Sequence, residues 1–360
     1  IIQHSDGERF KELYRRIDSF SPGFRQPGKG RNMFMSFGVA QAIEANYVGV
    51  IDADIRTFHR RQLDRLLYPV VVLNYQFSKA AYMRIGNNRM YGRIKRLLLD
   101  PFLLALKRKF RESEEEKFIN LIDYLLVFNY QLSGEVAFEI NLLKRMYFAT
   151  NWGVELFTLI EAYRKANNIA QVQFSSEPFE HKHQSLSADD PQSGLYKMAT
   201  DIVTTLLWTL VVEEGFEISD YFVRDITATY LNMADELIKK YSENASFSNL
   251  EYDRDAEEAM VKEVFRDAIL AAGESITSSP HLACDSLLHL LVSDKRFKKY
   301  KDAGLVDALI AYEEEKSRNR IFEIPQTVSW ERIIMKQPGI LDDIRDAVKK
   351  ETASFTAKTR

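Results

Sequence analysis

The residues of this 360-residue chain best suited to chemistry are Asp52 and Asp54, which close the apolar run Tyr47-Val48-Gly49-Val50-Ile51-Asp52-Ala53-Asp54-Ile55 with Ala53 between them. Read as a strand, the run has a side-chain period of two, so both carboxylates project from one side at the rim of a sheet. Carboxylate oxygens placed there suit a hard divalent cation and the phosphates it carries. Other features share the same part of the chain: the donor-rich loop Pro27-Gly28-Lys29-Gly30, the turn Ser133-Gly134-Glu135, and His181 just past a candidate strand. A cation held by an aspartate and an imidazole, with positions left open, would bind a diphosphate and neutralise charge on a departing nucleoside diphosphate. Taken singly, each feature has a plainer reading: an exposed loop lysine, turn chemistry for the aspartates, a helix-entry turn, a satisfied histidine. Their order along one α/β pattern is what points to a joint site.

The elements that must position these groups alternate between helix and strand. An amphipathic helix carries Phe10, Leu13, Tyr14 and Ile17, and a second runs over about 32–45 before the acidic strand. A helix over about 60–67 precedes the β-branched run 70–75, and helical patterning over 93–111 ends in an acidic cluster. The turn at Leu132–Glu135 leads into a predicted helix over 136–146, Asn151-Trp152-Gly153 into one over 154–166, and Ala170, Val172 and Phe174 alternate as a strand. This alternation predicts an α/β fold with a mostly parallel sheet and helices on both faces. From about 195 onward the patterns are helical only, over about 195–215, 218–242, 253–273, 282–292, 305–318 and 340–352. The expected organisation is therefore an α/β catalytic domain at 1–194 and an all-α C-terminal region at 195–360, joined by the Ser/Asp/Pro/Gly-rich stretch 185–194.

Composition narrows the function classes. A hydrophobic fraction of 46%, a charged fraction of 28% and a net charge of −3 give no global attraction to nucleic acid or acidic membranes, so any anion site must be local. The single cysteine, Cys284, excludes an intramolecular disulfide and a Cys-rich zinc site, and fits a reducing, cytoplasmic setting. The longest apolar stretch, 198–212, is interrupted by Asp201 and threonines, so no membrane span is expected. His281 and His289 read as ordinary core or surface histidines. The apolar stripes of the tail exceed what one helix can hide, which predicts a homodimerisation or lid element.

Six segments carry a resemblance, in this order: Pro27-Gly28-Lys29-Gly30, Ile51-Asp52-Ala53-Asp54, Gly92-Arg93 ahead of Pro101-Phe102-Leu103-Leu104, Leu132-Ser133-Gly134-Glu135, Trp152-Gly153-Val154-Glu155 and Glu180-His181. Over about 27–186 the sequence resembles the glucosyl-3-phosphoglycerate synthases and their mannosyl and glycerate-using relatives, retaining nucleotide-sugar transferases of the A-type glycosyltransferase fold. The resemblance implies that Asp54 and His181 ligate Mg²⁺ or Mn²⁺, with Asp52 turned to the ribose or the metal's water shell. Lys29 and Ala53 would contact the donor, Gly134 and Glu135 would line the sugar pocket, and Glu155 would lie near the donor sugar. Asp54, Glu135 and His181 are the expected catalytic set, Glu135 as a sugar ligand. Gly92 and Arg93 would hold an anionic acceptor by charge-assisted hydrogen bonds, with Lys95 and His183 beside its phosphate.

The implied activity moves glucose from a UDP-, GDP- or ADP-hexose donor to the 2-hydroxyl of 3-phosphoglycerate or D-glycerate. Relatives often carry a small hydroxyl residue at the position of Lys95 and some carry Asn at that of His183, which leaves the acceptor's phosphate open. The family's opening strand, which cradles the base, is not visible before Ile1, so the base is open too. Mannosyl transfer from GDP-mannose and a non-catalytic scaffold bearing a helical interaction module are the competing readings. Both carboxylates and the downstream histidine speak against the scaffold.

Overall fold

The computed structural model describes residues 7–18, 28–177, 179–180, 194–277 and 327–358. Its first helices follow the apolar spacing: α1 (Glu8–Asp18) buries Phe10, Leu13, Tyr14 and Ile17, and α2 (Lys29–Ala42) buries Phe34, Phe37 and Ala42. Strand β1 (Tyr47–Val50) follows, then α3 (Arg60–Val71) and β2 (Phe77–Ala81). A small hairpin of β3 (Ile85–Gly86) and β4 (Arg89–Met90) leads through a π-helical stretch, Ile94–Leu99, into α4 (Asp100–Glu112) and α5 (Glu116–Val127). Next come β5 (Val136–Glu139), α6 (Ile140–Arg145), β6 (Phe148–Ala149), α7 (Val154–Lys165) and β7 (Ile169–Gln173).

The central sheet has the order β1-β5-β2-β7. Strand β5 runs antiparallel to both β1 and β2, and β2 pairs with β7 in parallel. The expectation of a mostly parallel sheet is thus corrected to a mixed one. The cause is local: 136–146, expected to be one helix, is a strand followed by a short helix that starts where Glu139 caps the N–H groups of Asn141 and Leu142 at 2.9 and 3.1 Å. Helices do cover both faces. On one, α3 packs across the sheet with Leu66 and Val70 against Ala80 and Ala137. On the other, Phe37 of α2 meets Phe138 of β5 at 5.5 Å.

Two further expectations change. The run 70–75 is not a strand: α3 continues to Val71, and Asn74 turns the chain at φ 59° before β2. Val70 is buried one helical turn after Leu66, whereas Val71, Val72 and Leu73 are exposed, so helix packing overrides β-branched propensity here. The acidic run also stops being a strand at Val50, and Asp52 to Asp54 lie in the turn beyond it. The strand pleat therefore does not orient the two carboxylates.

The later residues form α8 (Gly194–Trp208) with a π-helical extension to Glu213, α9 (Asp220–Phe247), α10 (Arg254–Met260), a π-helical stretch and α11 (Arg266–Thr277). Then come β8 (Thr327–Val328), α12 (Trp330–Lys336) and α13 (Ile340–Lys358). The expected helices over 282–292 and 305–318, with Cys284, His281 and His289, lie outside the described residues. One hydrophobic core runs through both parts of the chain, from Phe10 and Phe34 to Leu206, Ile269 and Ile344. By length and composition Gly194–Glu213 is apolar enough to cross a membrane, but half of its window is buried within the protein, where Ile202, Leu206 and Leu210 join that core.

One tie between distant parts of the chain is Trp330. Its ring stacks on Phe34 at 4.7 Å and 6°, its Nε1 donates to the Phe34 carbonyl at 2.8 Å, and β8 pairs with β6 beside it. Replacing Trp330 with Ala removes the stack, the hydrogen bond and the largest buried side chain at once. Urea unfolding should show a loss of about 3–5 kcal/mol; a loss below about 1 kcal/mol would mean the tail docks elsewhere.

Candidate active site

The site starts from one partly buried cation. Lys29, the first residue of α2, places its Nζ 2.9 Å from Asp52 and 2.8 Å from Glu155 Oε1. Asp52 comes from the turn after β1 and Glu155 from the first turn of α7. Burial works against the Lys29 charge, but Glu155 and Asp52 outweigh it and hold the pKa above that of an ordinary lysine.

Behind this triad lies a second buried layer. Gly134 sits against Asp52 so closely that a Cβ there would stand 2.5 Å from Asp52 Oδ2. The same turn is held from below: Lys79 Nζ donates to the Ser133 carbonyl at 2.6 Å, and Ser133 Oγ donates to the Ala80 carbonyl at 2.8 Å. Glu135 is fully buried, with its Oε2 accepting from Tyr82 OH at 2.7 Å and its Oε1 unpartnered. Burial, then the Asp52 charge, raises the Glu135 pKa to about 7, the Tyr82 hydrogen bond opposing them. Burial lowers that of Lys79 to about 8, against the pull of Glu155 and Glu135.

Above the triad opens a cavity of about 980 Å³. Lys29, Asp52, Ala53, Asp54, Glu155, Gly92 and Arg93 all line it, so the structure brings together donor-side and acceptor-side residues expected from the sequence. Glu135 does not line it; Tyr82, to which it is bonded, does. Gly134 is likewise buried beneath Asp52. Lys95 is absent from the lining and pairs with Asp100. His181 and His183 lie outside the described residues. Among the described residues no group of three or more His, Cys, Asp or Glu could hold a metal ion by itself.

Several lining residues were not foreseen. Tyr82 and Arg84 follow β2, whose segment Phe77-Ser78-Lys79-Ala80-Ala81 lacks β-branched residues and so gave no strand signal. Glu251, Tyr252 and Glu257 reach the cavity from the helical region, which no local pattern could reveal. Arg93 is half-buried; burial lowers its pKa, Glu257 raises it, and Arg96 and Arg84 lower it further. It forms no hydrogen bond or ion pair with any described residue, so an anion would relieve this concentration of positive charge.

The arrangement presents carboxylate oxygens and an ammonium along one stretch of the lining and guanidinium groups along another. That is chemistry for a substrate carrying a cation-bound diphosphate and for a second, anionic one. A pH effect follows from Glu135. Its folded-state pKa of about 7 lies above the ordinary 4.5, so its protonated form adds stability that is complete below 4.5 and lost as pH rises through 7. Glu135→Gln should therefore unfold at higher urea than wild type at alkaline pH, the gap closing toward acid; a gap independent of pH would contradict a carboxyl of raised pKa.

No protein-family model matches the chain. It is similar to the glucosyl-3-phosphoglycerate synthase of Persephonella marina, 36% identical over 285 residues, which are 78% of this chain and 68% of the relative. It is also similar to the glucosyl-3-phosphoglycerate synthase of Methanococcoides burtonii, 32% identical over 289 residues, with the same coverage of 78% and 68%. Among solved structures, the glucosyl-3-phosphoglycerate synthase of Mycobacterium tuberculosis in complex with Mn²⁺, UDP and glucosyl-3-phosphoglycerate matches at 25% identity with a TM-score of 0.40, covering 54% of this chain and 58% of that one. The mannosyl-3-phosphoglycerate synthase of Rubrobacter xylanophilus matches at 24% identity with a TM-score of 0.40, covering 56% and 57%. The chain thus spans less than two thirds of the length of these solved chains. At 36% and 32% identity over 68% of each of these two relatives, the chain belongs to the glucosyl-3-phosphoglycerate synthase family of glycosyltransferases.

Proposed function

We propose that this chain transfers glucose from a nucleoside-diphosphate-glucose to the 2-hydroxyl of 3-phosphoglycerate with retention at the anomeric carbon, in the cytoplasm and assisted by Mg²⁺ or Mn²⁺. The observation that carries this reading is the joint lining of one cavity by Lys29, Asp52, Asp54 and Glu155 and by Gly92, Arg84 and Arg93. The names of the two curated relatives agree with it.

The residues fit the cation. Asp52 and Asp54 offer oxygen donors at the cavity, and Mg²⁺ or Mn²⁺ commonly takes only one or two protein carboxylates beside substrate phosphates. Asp54 would hold it, with His181 as second ligand on the sequence pattern alone. When bound, the cation would neutralise the charge gained by the departing diphosphate.

The chain's own groups do the rest. Lys29, kept charged by Glu155 and Asp52, meets the donor's nucleotide part, and Asp52, engaged by Lys29, turns to the ribose or the cation's water shell. Tyr82 lines the cavity with its hydroxyl bonded to the buried Glu135 carboxylate behind it, so the sugar meets Tyr82 before the Glu135 carboxylate. A carboxylate placed there does not suit a nucleophile. We therefore favour front-face attack: the acceptor's 2-hydroxyl oxygen bonds to the anomeric carbon as the bond to the diphosphate oxygen breaks, and its proton passes to that oxygen. Arg93 and Arg84 hold the acceptor's anionic groups, and the added charge of the phosphate makes 3-phosphoglycerate a better fit than glycerate.

The test is an assay of UDP-, GDP- and ADP-glucose and GDP-mannose against 3-phosphoglycerate and D-glycerate, with Mn²⁺ or with EDTA. Product should form with 3-phosphoglycerate, vanish with EDTA and return on adding Mn²⁺; full turnover in EDTA would sink the metal assignment. Asp54→Ala and Lys29→Met should lower kcat/KM by about 100-fold or more. Arg93→Ala should raise the acceptor KM about tenfold or more while the donor KM stays within about twofold; equal effects on both would remove Arg93 from the acceptor side.

A further inference from the structure

The segment that carries Gly92 and Arg93 is held by the helical region at both of its ends. At the far end, Arg96 reaches back with its own guanidinium: Nε donates to the Tyr91 carbonyl at 3.0 Å and Nη2 to the Met90 carbonyl at 3.4 Å. That guanidinium is in turn gripped by Glu257 of α10, Nη1 to Oε2 at 3.0 Å and Nη2 to Oε1 at 2.5 Å, a two-pronged and buried pair. Tyr252 OH donates a further hydrogen bond to Glu257 Oε2 at 2.6 Å, and the Tyr241 ring lies under the Arg96 guanidinium at 4.9 Å. At the near end, Glu251 N donates to the Asn88 carbonyl at 2.8 Å, and Arg89 pairs with the Glu251 carboxylate at 2.7 and 2.6 Å.

Between these ends Gly92 adopts φ +77°, a left-handed conformation open to glycine but strained for other residues. Such a turn keeps one geometry only if its flanks are pinned. Here the flanking carbonyls of Met90 and Tyr91 are pinned by a side chain whose position depends on Glu257. Glu251, Tyr252 and Glu257 also line the cavity themselves. A buried two-pronged pair loses its geometry when one carboxylate oxygen becomes an amide, because the amide nitrogen cannot accept from the guanidinium.

We propose that Glu257, with Tyr252, is a positioning residue for the acceptor: through Arg96 it sets the Gly92–Arg93 turn, so that the helical region determines how tightly the anionic acceptor is held. This rests on the reading of Arg93 as an acceptor ligand. It gives the helical region a part in the chemistry that is separate from dimerisation or closure. The sign of the effect is informative. Simple electrostatics would have a negative Glu257 beside the cavity repel an anionic acceptor, so its neutralisation would tighten binding. A positioning role requires the opposite.

The experiment measures donor KM, acceptor KM and kcat for wild type, Glu257→Gln and Tyr252→Phe, using 3-phosphoglycerate and the donor that wild type accepts. Thermal melting and amide hydrogen exchange over 88–96 are followed in parallel. Tyr252→Phe removes the hydroxyl that lies 2.6 Å from Glu257 Oε2 and 3.4 Å from the Ile238 carbonyl without changing charge, and is the milder variant. The expected result is a rise in acceptor KM of about tenfold for Glu257→Gln and about threefold for Tyr252→Phe, with kcat and donor KM within about twofold and faster exchange over 88–96. An unchanged or lowered acceptor KM, an equal rise in donor KM, or loss of the folded state in both variants would overturn the proposal. Exchange is read without substrate, so it remains decisive if wild type transfers no sugar, an outcome that would instead remove the proposed function.

Discussion

The arrangement depends first on the ammonium of Lys29. A partly buried cation between two carboxylates keeps its place through both contacts, because each attraction offsets part of the cost of taking the ammonium out of water. Lys29 thereby joins the start of α2, the turn after β1 and the first turn of α7. Gly134 lies against the Asp52 carboxylate, so the turn entering β5 is fitted to the same point. Lys79, fully buried in β2, anchors that turn from beneath through the Ser133 carbonyl. Burying a lysine there has a desolvation cost, seen in its lowered pKa, which the hydrogen bond to the Ser133 carbonyl offsets in part.

Charge is distributed unevenly around the cavity. Carboxylates gather where the chain leaves β1 and enters α7, and guanidinium groups gather between β2 and α4. The second group is not self-sufficient. Arg96 is neutralised by Glu257 and Arg89 by Glu251, both from beyond residue 194, whereas Arg93 is left without a protein partner among the described residues. The helical region thus pairs with Arg96 and Arg89, which hold the loop, and leaves Arg93 at the cavity without such a partner among the described residues.

Packing follows the same logic. Trp330 on Phe34 and the pairing of β8 with β6 bring the last part of the chain against α2, whose first residue is Lys29. Burial of apolar surface in one continuous core therefore also fixes the element that carries the central cation.

Much of the site could be read before folding. Lys29 and the Asp52–Asp54 pair stand out as local patterns of residue type, Glu155 and Gly92–Arg93 only through the family resemblance, and all of them reach one cavity. The helices of amphipathic spacing were legible for the same reason, since a period of 3.6 is written locally. Strand identity was not: β2 lacks β-branched residues, 70–75 has them at a helix end, and Val136–Glu139 reads as helix until its neighbours β1 and β2 supply hydrogen bonds. Sheet direction and the place of Glu135 behind Tyr82 followed from that pairing. The sequence by itself determined which groups were available for binding a cation, a diphosphate and an acid. Only the tertiary structure decided which of them meet, because the partners that hold Lys29 and Arg96 come from segments distant along the chain, and their contacts exist only after the core has closed.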